Sequence, residues 1–106
     1  MTVKPSESAE SRAIRTIRHI LMQCLNQSYP AKQYVRTLFE NAIYVEPTYE
    51  KANFIKDIFY FQDKGYVKIT ENVLTKGSKL FDRFIVLTAP GKEIAEKTMT
   101  DEAMEI

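Results

Sequence analysis

The chain has 106 residues, of which 44% are hydrophobic and 27% are charged, with a formal net charge of +1. This length and composition predict one folded domain with its own core, and they exclude an intrinsically disordered chain. No apolar run approaches the roughly 20 residues of a membrane span, and a polar N-terminus with a lone cysteine predicts a cytoplasmic protein without an internal disulfide.

The first predicted element is a helix that begins at Ser8, after a lead of residues 1–7. Its apolar residues recur at steps of three and four on one face: Ile14, Ile17, Leu21 and Leu25. Ile20 and Cys24 lie beside this stripe and widen it. An arginine row, Arg12, Arg15 and Arg18, runs along a flank, where it forms either a solvated surface or a contact with phosphates or a second subunit.

Two further helices are predicted after the first. Pro30 ends the first helix. The second helix covers about residues 32–42, and its inner positions are Val35, Leu38, Phe39 and Ala42. The third covers residues 49–64, with Thr48 as the predicted N-terminal cap and Gly65 as the left-handed C-terminal cap.

The third helix has two different faces. Phe54, Ile58 and Phe61 fall in a narrow arc and are predicted to be core residues. The opposite polar and aromatic strip consists of Tyr49, Asn53, Lys56 and Tyr60, at steps of four, three and four. Phe59 belongs to neither set and is a candidate for a subunit contact, whereas Asp57 and Asp63 are interpreted as helix-surface charges.

A β-hairpin and a last helix complete the predicted domain, which covers residues 8–97. Alternation predicts a half-buried strand over residues 66–73 and a return strand over residues 83–87, joined by a turn at Gly77 and Ser78. Thr88 is the predicted cap of the fourth helix, Pro90 lies in its first turn, and Ile94 and Ala95 fold back on the hairpin. Residues 98–106 form an acidic flexible tail.

The sequence does not favour an enzyme. His19 and Cys24 are single residues five apart on one helix, which turns them to different faces, so they cannot pair within one chain. No glycine-rich phosphate loop, nucleophile elbow or metal-ligand cluster is present. We therefore expect no cofactor, metal or small-molecule substrate.

The segments FIKDIFYFQDKGYVKI and LTAPGKEIAEK resemble the recognition helix, wing strands and final helix of winged helix-turn-helix proteins. The resemblance covers about residues 10–97 and implies an α+β fold with a three-helix core, a two-stranded wing and a C-terminal helix. The layout, including the acidic tail, is similar to small winged-helix proteins of Mu-like prophages. Double-stranded DNA is the partner that this resemblance implies, and a transcriptional regulator is the implied function.

The resemblance also implies which residues contact DNA. Tyr49, Asn53, Lys56 and Tyr60 match groove-facing positions of the third helix, and Lys76, Ser78 and Lys79 match the wing tip. Asparagine can pair with adenine, lysine can reach guanine, and wing lysines would meet phosphates. The alternative is a winged-helix adaptor that binds protein through its aromatic residues.

The distribution of charge along the chain helps to decide between a DNA partner and a protein partner. Residues 11–92 contain thirteen Lys and Arg against seven Asp and Glu, a balance of +6, while residues 93–106 have a balance of −4. A basic folded part favours a nucleic-acid partner, although the same charges could simply solvate the surface.

The widened stripe of the first helix predicts a homodimer, with packing under the fourth helix as the alternative.

Overall fold

The computed structural model describes residues 9–71 and 79–96, which form four α-helices and a three-stranded antiparallel sheet. The elements in chain order are α1 (Ala9–Ser28), β1 (Gln33–Tyr34), α2 (Val35–Val45), α3 (Lys51–Asp63), β2 (Val67–Thr70), a 3-10 turn (Leu80–Asp82), β3 (Phe84–Leu87) and α4 (Ala89–Ala95). The predicted α+β class is confirmed. The predicted lead and tail lie outside the described residues. Within the described ranges, no helix is both long and apolar enough to cross a membrane.

One hydrophobic core joins all four helices and the sheet. Its fully buried side chains are Leu21, Met22, Leu25, Val35, Leu38, Ala42, Phe54, Ile58, Phe61 and Ile85. The core arc predicted for the third helix is therefore confirmed, as are three of the four inner positions predicted for the second helix. The fourth, Phe39, is half-buried and packs on the same core.

The sheet contains a strand that the sequence did not predict. β1 pairs with β3, in the register Gln33 opposite Ile85 and Tyr34 opposite Phe84, and the strand order is β1-β3-β2. The two strands predicted for the wing are present as β2 and β3, but the third strand of the sheet was not predicted, and α2 begins three residues later than predicted. A strand of two residues is too short to show the alternation by which strands are recognised.

The start of α3 also differs from the prediction. The Tyr49 N–H donates to the Glu46 carbonyl at 3.1 Å and closes a turn, and the Thr48 hydroxyl donates to the Glu46 carboxylate. Thr48 is thus inside this turn, and Glu50 occupies the capping position without a side-chain hydrogen bond. The prediction that Thr48 caps the helix is wrong.

The other predicted caps are confirmed. Gly65 has a φ of +78°, and the Tyr66 N–H donates to the Phe61 carbonyl at 2.8 Å, which closes the C-terminal end of α3. The Thr88 hydroxyl accepts a hydrogen bond from the Gly91 N–H at 3.2 Å, and a proline stands in the first turn of α4. Both caps fit the local sequence, because each uses a residue type suited to its position.

The hairpin strands β2 and β3 pair with Val67 opposite Leu87 and Thr70 opposite Phe84. Val67 is buried and Lys68 faces solvent, as the alternation predicted, and Leu87 of β3 is also buried. The predicted turn at Gly77 and Ser78 lies outside the described residues. In α4, Ile94 and Ala95 are buried, which confirms that this helix packs back on the domain.

Candidate functional site

α3 has a buried face, a face toward α1 and a face open to solvent. The solvent face consists of Ala52, Lys56, Phe59 and Asp63, all exposed and spaced by four, three and four residues. We call these four residues the outer face. It lies opposite the buried Phe54, Ile58 and Phe61, whose packing against the core holds the helix in place.

The face of α3 toward α1 has a polar network at its centre. Arg18 Nε donates to Asp57 Oδ1 at 3.0 Å, and the Tyr49 hydroxyl donates to Asp57 Oδ2. The Arg18 guanidinium carbon also lies 3.9 Å from the centroid of the Tyr60 ring. One arginine of α1 therefore contacts a carboxylate and an aromatic ring of α3, and it fixes the two helices relative to each other.

The interpretation of Asp57 as a surface charge is wrong, since the residue is only 5% exposed. Its two oxygens accept hydrogen bonds from Arg18 and Tyr49, which compensate for the loss of water. The sequence carried no local signal for this pairing, because Arg18 is 39 residues away. Arg18 belongs to the arginine row of the first helix, and the structure shows that this arginine makes a contact between two helices of the same chain.

Burial raises the pKa of Tyr49 above its ordinary value, and the hydrogen bond to Asp57 raises it further, against the opposing charge of Arg18. The hydroxyl therefore keeps its proton and acts as a fixed donor. Burial also raises the pKa of the Cys24 thiol, which favours the unreactive protonated form.

The structure places the predicted DNA-contacting residues in three different settings. Asn53 and Lys56 are exposed on α3. Tyr49 and Tyr60 are half-buried against the polar network, so the aromatic part of the predicted strip faces α1. Lys79 is exposed directly before the 3-10 turn, while the other two wing residues, Lys76 and Ser78, lie outside the described residues.

A groove of about 690 Å³ separates α1 from the loop that precedes α3 and from the first turns of α3. Its lining is Ile14, Thr16, Ile17, Arg18, Ile20, Glu46, Thr48, Tyr49, Asn53, Lys56 and Asp57. The polar network is part of its wall. Asn53 and Lys56 belong to this lining, and Lys56 is also part of the outer face, so the groove and the outer face share this lysine.

The charge around the outer face is mixed. Over residues 50–71 the exposed charged side chains are four lysines (Lys51, Lys56, Lys64 and Lys68) and three acids (Glu50, Asp63 and Glu71). Asp57 adds no exposed negative charge, because it is buried against Arg18. Lys51 lies over the Phe81 ring, with its ammonium 4.8 Å from the centroid. The described surface beside α3 and β2 therefore has an excess of one positive charge, with lysines and acidic side chains interspersed.

Three residues of the outer face, Ala52, Phe59 and Asp63, were absent from the predicted site. The sequence did contain a signal, because all three lie opposite the buried Phe54, Ile58 and Phe61 on the helix. The predicted strip, at steps of four, three and four from Tyr49, lies closer to α1, which Tyr49 and Tyr60 face.

In the part of the chain that the structure describes, no group of three or more His, Cys, Asp or Glu side chains is placed to hold a metal ion. Comparison with known proteins finds no protein-family model, no curated protein and no solved structure that matches the chain. The proposals that follow therefore depend on the geometry and chemistry of these residues.

Proposed function

We propose that the chain is a double-stranded DNA-binding protein of the winged helix-turn-helix type, acting in the cytoplasm as a transcriptional regulator and resembling the small winged-helix proteins of Mu-like prophages. α3 enters the major groove with its outer face, and the β2–β3 hairpin contacts the adjacent backbone. The observation that carries this proposal is the outer face itself, which is exposed along the helix while the opposite side is anchored in the core.

Two further features support the proposal. The described elements occur in the order that a winged helix requires, three helices followed by two antiparallel strands and a last helix, and the short β1 is compatible with it. The exposed lysines of residues 51–70 and Lys79 provide positive charge beside the outer face, as contact with phosphates demands.

The test is duplex binding measured by fluorescence anisotropy as a function of salt. If lysines meet phosphates, the logarithm of the association constant falls linearly with the logarithm of the salt concentration, by about 0.9 per neutralised phosphate. We expect the double substitution Lys68→Ala and Lys79→Ala to weaken binding to all duplexes alike and to reduce this slope by about two.

Lys92→Ala is the control, because it removes one positive charge from α4, which packs on α1 and β3; Lys68→Ala alone, which also removes one charge, is compared with it. Lys92→Ala should leave the salt slope of the wild type unchanged. A chain that binds no duplex in a salt-dependent way, or a slope that responds equally to Lys92, would contradict the proposal.

A protein-binding adaptor is the second candidate, and exposed apolar side chains favour it. Phe59 is 42% exposed, and Tyr44 and Val45 at the end of α2 are 90% and 56% exposed. An adaptor would depend on such side chains and would be indifferent to Lys68 and Lys79. The lysine substitutions therefore separate the two functions.

We also propose a homodimer in which α1 forms the contact. Ile14 is 42% exposed, and Ile20 of the same helix is only half-buried. Farther along α1 the stripe is covered within the chain, since Cys24 packs against the core and Gln23 donates to the Ala95 carbonyl of α4 at 2.8 Å. Among the described side chains, the surface left for a second subunit is thus centred on Ile14.

A further inference from the structure

The outer face of α3 carries an apolar pair between charged residues. Ala52 and Phe59 are seven residues apart, two helical turns, and Lys56 lies between them on the same face. Phe59 remains 42% exposed although it belongs to a helix whose opposite face is completely buried. The ring is therefore presented to solvent, at the centre of the face rather than at its edge.

Lysines stand on and beside the face that carries this pair. The exposed charges of residues 50–71 are four lysines, two glutamates and one aspartate, and the buried Asp57 is compensated by Arg18. A partner that contacts both the lysines and the apolar pair offers negative charge together with an apolar group. Duplex DNA offers both, because phosphates flank the major groove and the C5-methyl group of thymine projects into it.

We infer that Phe59 and Ala52 determine sequence preference by contacting thymine methyl groups in the major groove. This inference rests on the proposed function and names the chemical feature of DNA that α3 reads. Alanine and phenylalanine are side chains that make apolar contacts with this methyl group, which cytosine and uracil lack. Lys56 lies between the two contacts, within reach of a guanine or a phosphate.

The helical rise sets the spacing of the two methyl contacts. Seven residues of α-helix rise about 10.5 Å, at 1.5 Å per residue. Successive base pairs of duplex DNA are about 3.4 Å apart. The preferred site therefore has two thymines about three base pairs apart, on one strand or on opposite strands.

The experiment begins with selection of preferred duplexes from a random library by the full chain. Each thymine of the selected duplex is then replaced singly by uracil, which removes the methyl group and leaves the base pair intact. We expect one position to lose about three- to fivefold in affinity, the effect of withdrawing one methyl group from an apolar contact. A second position, about three base pairs away, should show a smaller loss through Ala52.

Variants connect the loss to the side chain. In Phe59→Ala the affinity for the thymine duplex should fall to that for the uracil duplex, so that the replacement no longer has an effect at the first position. Gln62→Ala is the matched control, because Gln62 is an exposed neighbour on α3 that is not part of the outer face. It should keep the full sensitivity to uracil. Phe59→Leu, which retains an apolar side chain, should keep part of it.

The outcomes separate the inference from the proposed function. Binding to the selected duplex without sensitivity to uracil, or with the same sensitivity in Phe59→Ala, would overturn the inference alone. Absence of salt-dependent binding to every duplex would overturn both and leave Phe59 as a contact for a protein partner. Circular dichroism of each variant shows whether a loss of binding reflects a loss of folding.

Discussion

At the scale of single residues, two arginine–aspartate pairs of this chain differ in how much water surrounds them. The side chains of Arg18 and Asp57 are 18% and 8% exposed, whereas those of Arg36 and Asp82 are 54% and 34% exposed. Removing one partner of a buried pair leaves an uncompensated charge in a poorly solvated place, while an exposed charge is solvated by water again. Removing the arginine should therefore cost more stability in the Arg18–Asp57 pair than in the Arg36–Asp82 pair.

We predict that Arg18→Met lowers the free energy of unfolding by about 3–5 kcal/mol, because Asp57 then keeps only the Tyr49 hydrogen bond. Arg36→Met is the matched substitution and should cost about 0–1 kcal/mol. Urea unfolding followed by circular dichroism measures both values. Similar losses of unfolding free energy for the two variants would contradict a stabilising role for the buried Arg18–Asp57 contact.

The Arg18 contact also links stability to the proposed site. It joins α1 to the face of α3 that borders the outer face. Because Lys56 and Phe59 belong to α3, their orientation depends on how this contact positions the helix. In the proposed complex with DNA, Arg18 is a positioning residue that acts through α3 and not through a phosphate.

At the scale of elements, the packing of α4 depends on the absence of a side chain at Gly91. A Cβ atom there would lie 1.9 Å from the Tyr66 carbonyl oxygen and 3.1 Å from Leu87 Cδ2. The Thr88 N–H donates to the same Tyr66 carbonyl at 3.0 Å, which fixes the start of α4 against the hairpin. At Gly91 the helix therefore contacts the hairpin with its backbone and not with a side chain.

We predict that Gly91→Ala destabilises the domain, by about 1–3 kcal/mol or more, because α4 must move away from Tyr66. Helix propensity alone predicts the opposite sign, a gain of about 0.5–1 kcal/mol for replacing glycine by alanine. The sign of the change in urea unfolding thus decides which effect dominates. Equal or greater stability of the variant would refute the close backbone contact.

Local patterns predicted the elements whose signals lie within a few residues. The period of Phe54, Ile58 and Phe61 identified the inner face of α3, and Gly65 and Thr88 identified two helix ends. Contacts between distant segments were not predicted, since neither the pairing of β1 with β3 nor that of Arg18 with Asp57 leaves a periodic trace. For the same reason the sequence did not predict that Tyr49 and Tyr60 of the contact strip face α1, while Asn53 and Lys56 are exposed.

At the scale of the whole molecule, a duplex-binding dimer needs two outer faces with a fixed separation. A two-fold axis through α1 would place two recognition helices about one DNA turn apart, roughly 34–36 Å, to match a palindromic site. Binding by one subunit alone would cover a single half-site. The oligomeric state therefore determines how much of the operator the protein can read.

We predict a homodimer at tens of micromolar, with twice the monomer mass of 12.3 kDa in sedimentation equilibrium. Ile14→Glu should convert it to the monomer, because a charge buried in an apolar contact is unfavourable, whereas a residue 42% exposed in the single chain tolerates the change. Gln27→Glu adds the same charge at an exposed position near the other end of α1 and should leave the mass unchanged. A wild-type chain that sediments as a 12.3 kDa species would refute the dimer and confine α3 to one half-site per molecule.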